Sequence, residues 1–252
     1  MALESSVLSS EEFKAFAADY VMFAHVTTRI EGRKHDGLLS EKGGRGFPHL
    51  VALNQGGDVI ATLTGGRSID GFRQMMESGA KFEALKSKED KTLDDEIFLL
   101  KHDIAMGNAK LDDAKARVAK LTGLSDAQKA ELDGAILGLE VQASLPNSRD
   151  PDEAKAQIRT AGKKFSDWWA AGREPSTDSS AFDPYFMVML DYAELEKDAA
   201  LFEKALAKLQ AKYADNPRAQ RFFEAQAERL KKLQAGDGED GDDMEDGEGD
   251  GE

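Results

Sequence analysis

The sequence predicts an α/β domain over residues 1–80, an all-helical domain over 81–234 and a disordered acidic tail over 235–252. Three observations carry that prediction. Short β-branched runs alternate with glycine turns through the first segment. Ala, Leu, Glu and Lys then recur at helical spacing. The chain ends on GDGEDGDDMEDGEGDGE, where Met244 is the sole apolar side chain. Such a segment buries too little surface to offset the entropy of ordering it.

Composition sets further bounds. At 252 residues the chain has room for a real buried core. No apolar run approaches the roughly 20 residues that span a bilayer. MALESSVLSSEEF lacks the basic start and apolar stretch of a secretory signal, so a cytoplasmic location is expected for the chain as written. The absence of cysteine excludes disulfides, thiolate zinc sites and every Cys-based nucleophile or redox couple. Of the formal charge of −15, ten acidic residues and no basic ones fall in 236–252, which leaves −5 on the rest. With no basic stripe interleaved with aromatics, nucleic acid is not an expected partner.

In the first domain, Ser9 followed by Glu12 fits a capping box, and Phe13, Phe16, Ala17 and Tyr20 recur at helical spacing. VMFAHVTT, from Val21 to Thr28, is a continuous β-branched and aromatic run, the pattern of a strand covered on both faces. A polar link leads to Phe47-Pro48. The run His49 to Leu53, the turn Asn54-Gln55-Gly56-Gly57 and the run Asp58 to Thr64 then read as a β-hairpin. Gly65-Gly66 break the strand and Ser68 caps a helix whose apolar face is Ile69, Phe72, Met75 and Met76.

The second domain reads as helices over Leu93–Met106, Leu111–Leu121 and Ser125–Ala143, the last ended by Pro146. Pro151, at a first helical turn, opens another that runs to Phe165, Trp168 and Trp169. One long amphipathic helix is expected from Tyr185 to Tyr213, and a closing helix from Pro217 to Leu233. The rhythm loosely resembles tetratricopeptide repeats, without their signature positions at a fixed period.

The block from Ser9 to Met76 resembles the C-terminal part of a thioredoxin-like domain, on the strength of GRGFPHLVALNQGGDVIATLTGGRSIDGFRQMM. LESSVLSSEEFKAFAADYVMFAHVTT similarly resembles the segment after the active site of bacterial thioredoxin-like proteins. The resemblance covers about a third of the chain and implies a cis bond at Phe47-Pro48, with Phe47, Pro48 and His49 meeting an extended substrate backbone. The family's Cys-x-x-Cys motif and the strand before it should stand just ahead of Leu3, and both are missing. Two accounts stand open. The domain is a degenerate remnant used for binding, or Met1 is not the true start and a Cys or selenocysteine motif lies upstream. In the second case the lineage implies a thiol–disulfide oxidoreductase, in a periplasmic or exported location.

Each remaining candidate has a plainer alternative. Pro48 is also readable as a structural turn proline. His25 reads as a core residue within its strand, and His49 as facing the substrate groove. His35 and His102 lack a partner at metal-ligand spacing. Gly43-Gly44-Arg45-Gly46 lacks the strand-to-helix setting of a phosphate loop. Trp168 and Trp169 read as bundle core, or alternatively as a peptide-binding groove between helices. The tail does not fit an EF-hand and reads as a solvating segment.

The expected function is therefore a protein- or peptide-binding protein of thioredoxin-like lineage, redox-inactive as written and without cofactor. One alternative is a helical scaffold whose function lies in 81–234. Another is a metal-handling protein using its histidines and acidic tail.

Overall fold

A computed structural model describes residues 7–26, 34–44, 46–63 and 66–236. It overturns the expected fold class. Of the described residues 64% are helical, and among them two short strands form one antiparallel sheet, so the chain is mostly helical and is not a thioredoxin-like α/β domain. The decisive segment is Val21 to Thr28, read from sequence as a buried strand. Its described part, 21–26, belongs to no strand, and Val21 is 99% exposed. A β-branched run becomes a strand only where a neighbour takes its backbone N–H and C=O groups, and composition alone cannot supply that neighbour. Leu3, Thr27, Thr28, Arg45, Thr64, Gly65 and the expected disordered tail from residue 237 onward lie outside the described residues.

The chain forms two compact units, Met1–Ala109 and Lys110–Glu252. In the first, helix α1 (Glu11–Ala17) is capped by Ser10, whose side chain accepts from the Phe13 amide, one residue after the expected Ser9. Short α2 (Leu38–Glu41) precedes a cis Phe47-Pro48 bond and the hairpin of β1 (Val51–Leu53) and β2 (Val59–Thr62). Val51 faces Thr62 and Ala52 faces Ala61, with a register shift before Leu53. Asn54 closes the turn by accepting from the amides of Gly56 and Asp58, both at 2.9 Å. Gly57 takes the left-handed conformation, φ 81°, that this turn requires.

Helix α3 (Ile69–Lys86), capped by Ser68, runs ten residues beyond Met76, and α4 (Leu93–Ala105) opens on a Thr92–Asp95 capping box. Phe13, Ala52, Ile60, Ala61, Phe72 and Met75 form this unit's core, with Phe13 and Phe72 edge to face at 5.1 Å.

Every element among the described residues of the second unit is helical: α5 (Leu111–Lys120), α6 (Asp126–Ser144), α7 (Pro151–Ala170), α8 (Phe182–Leu195), α9 (Ala199–Lys212) and α10 (Gln220–Ala235), the last preceded by a 3-10 turn at Pro217–Ala219. The single long helix expected from Tyr185 to Tyr213 is two. Lys197 turns left-handed, φ 56°, and Asp198 caps α9 by accepting from the Leu201 amide. The apolar period runs on across this break, which hid it from the sequence pattern. Helix α8 buries Phe182, Tyr185, Phe186, Val188, Met189, Leu190 and Ala193, a helix apolar on nearly every side and therefore central.

Candidate functional site

The first candidate lies on the N-terminal unit, where the hairpin is approached from α2. Gly44 packs so closely on Leu39 and the His49 ring that a Cβ there would overlap both. The His49 Nε2–H donates to the Lys42 carbonyl at 3.0 Å, since a carbonyl can only accept. His49 is thereby fixed to the end of α2 by Nε2, half-buried, while Phe47 two residues earlier is 68% exposed. Beside this contact, hydrogen bonding and the charge of Lys42 hold the Glu41 carboxyl below its usual range. Further along, Leu53 is also exposed.

The exposed large apolar side chains among the described residues are Tyr20, Val21, Met22, Phe23, Val26, Phe47 and Leu53. All belong to the N-terminal unit. Scattered single apolar residues on a surface mean little, but five of the seven residues from Tyr20 to Val26 are in this class. The sequence pattern mistook this run for a buried strand. His25 sits within it, half-buried and stacked on Phe23 at 6.5 Å, rather than in a core. In the hairpin, β1 pairs only with β2 among the described residues, so one edge of β1 carries no strand.

Trp168 and Trp169 stand elsewhere, half-buried on α7 and packed against the second unit's core. Trp168 stacks on Phe165 at 5.6 Å, with Lys164 Nζ 4.7 Å and Arg173 Cζ 5.0 Å from its ring centre. Trp169 meets Phe186 edge to face at 5.5 Å. Beneath them the buried Tyr185 hydroxyl donates to the Phe165 carbonyl at 2.7 Å, with the Arg173 carbonyl 3.2 Å away. Burial, with the Glu174 carboxylate nearby, pushes that hydroxyl's pKa up, so it stays a donor. The two indoles and the Phe47–His49 loop thus belong to different units.

A cavity of about 290 Å³ between α5 and α6 is lined by Val118, Leu124, Leu132 and Ile136, with Lys115 and Asp133 at its walls. Both charges are engaged within the bundle. Lys115 pairs with Glu140 at 2.6 Å, and Asp133 with Arg173 at 2.9 Å. Burial opposes ionisation of Glu140, yet Lys115 and Arg173 hold its carboxyl below the usual range. This is a structural network. Among the described residues no group of three or more His, Asp or Glu side chains is placed to hold a metal ion, and no helix is long and apolar enough to cross a membrane.

No protein-family model, curated protein or solved structure matches the chain.

Proposed function

We propose that this chain is a protein-binding module that takes an extended apolar segment of a partner protein at its N-terminal unit. One observation carries the reading: the exposed large apolar side chains among the described residues gather on that unit, in Tyr20–Val26, at Phe47 and at Leu53 beside the open edge of β1. An extended segment added there gains backbone hydrogen bonds from the edge and buries apolar side chains at roughly 25 cal/mol per Å². The proposed binding uses no thiol chemistry, since disulfide exchange begins with attack by a thiolate and residues 1–252 hold no cysteine.

The test is fluorescence anisotropy of the full chain with ten-residue peptides of alternating apolar residues, against the same peptides interrupted by proline. Saturable binding of the uninterrupted set, weakened at least tenfold by Leu53→Asp, is expected. Equal binding of both sets removes the reading.

A further inference from the structure

His102 is the one buried histidine among the described residues, 7% exposed on α4. Its ring stacks on Phe82 of α3 at 4.2 Å and 16°, and lies 5.8 Å from Phe98, one turn back on α4. Nδ1 is 3.4 Å from the Ser78 hydroxyl of α3. Nε2 is buried without a hydrogen-bond partner. A neutral imidazole fits such a site at the cost of one polar atom. An imidazolium needs two acceptors, and the ring has only the Ser78 hydroxyl, 3.4 Å from Nδ1, within hydrogen-bond distance.

The charges around the ring do not amount to a counter-ion. On α4, Asp103 follows in sequence and favours the cation weakly, and Lys101 precedes. On α3, Lys81 lies over the Phe98 ring at 4.2 Å and Lys86 over the Phe82 ring at 5.7 Å, both of the same sign as a protonated His102. Glu83 of α3 buries its own Oε1 without a partner and makes no hydrogen bond to the imidazole. From β2 the Ile60 carbonyl favours the cation without closing a bond to Nε2, and Val59–Thr62 holds no titratable side chain. Burial prevails and pushes the imidazole pKa below its ordinary 6.5.

We infer that His102 is an acid-operated latch: its neutral ring closes α3 on α4 beside β2, and proton uptake opens that packing. The inference stands apart from the peptide-binding reading and survives its failure. The sign follows from linkage. The opened unit takes up a proton near pH 6.5 and the closed one only at lower pH. The closed state therefore keeps its full advantage above pH 6.5 and loses it as pH falls from there toward the closed-state value.

Hydrogen exchange on the full chain at pH 7.5 and 5.5, corrected for intrinsic exchange rates, reads the opening directly. The open fraction across 69–105 is expected to rise up to about tenfold for each pH unit below 6.5. His102→Phe, which keeps the stack and removes the proton site, is expected to lose that rise. Nitrogen NMR of the native protein supplies a second reading that needs no variant, with the His102 ring protonating at lower pH than the ordinary 6.5. An identical acid response in His102→Phe overturns the latch. So does a ring that titrates at 6.5 while α3 and α4 stay protected.

Discussion

Tyr185 shows how much a single hydroxyl organises. It reaches the Phe165 and Arg173 carbonyls from inside the stack beneath Trp168, so it ties α7 to the chain that follows it. Replacing it by Phe keeps the packing and deletes the donor. Urea denaturation of Tyr185→Phe is expected to show a loss of about 1 kcal/mol, the ordinary net worth of one such hydrogen bond. Gly162 makes a sharper case. A Cβ there would overlap Cβ and Cγ of Tyr192 on α8, backbone-proximal atoms that no rotamer change removes. Gly162→Ala is expected to cost roughly 1–3 kcal/mol despite alanine's better helix propensity, again by urea denaturation.

At the scale of elements, caps decide where helices start. Ser68 was legible as a cap, because a short polar side chain ahead of an apolar period has a mechanism behind it, whereas the Thr92–Asp95 and Ser125–Gln128 boxes and the Asp150 cap carry the same signal and went unread. Asp198 carries the same signal, yet the apolar period of α8 continues through Lys197 into α9 and masks it. Asp198→Ala is expected to lower stability by about 1 kcal/mol, a loss that an uninterrupted helix from Tyr185 to Tyr213 would not show. The hairpin was legible from Asn54-Gln55-Gly56-Gly57, whose turn chemistry is local. Val21–Val26 was not, since strand formation depends on a partner that lies elsewhere. The same non-locality explains the candidate site. Phe47 could be singled out by its neighbour Pro48, but the exposure that makes Tyr20–Phe23 functional candidates exists only once the fold leaves them uncovered.

For the whole molecule, the two units hold separate cores. Phe13, Phe72 and Met75 anchor one, and Phe165, Tyr185, Phe186 and Phe202 the other. The helical unit ties its own last helix down through Arg229, which reaches Asp191 at 2.8 Å and also pairs with Glu194. Residues 110–236 alone are therefore expected to keep their helical circular dichroism and to melt cooperatively; a non-cooperative loss of signal would show that this core is incomplete. The proposed peptide binding belongs to the other unit. The central claim is that an extended apolar peptide lies along the open edge of β1. Hydrogen exchange of the full chain with and without a saturating alternating-apolar peptide tests it most directly. Protection of the Val51–Leu53 amides, lost in Leu53→Asp, is the predicted result. Unchanged exchange there, with protection appearing only around Trp168 and Trp169, would contradict the account and move the binding site to the helical unit.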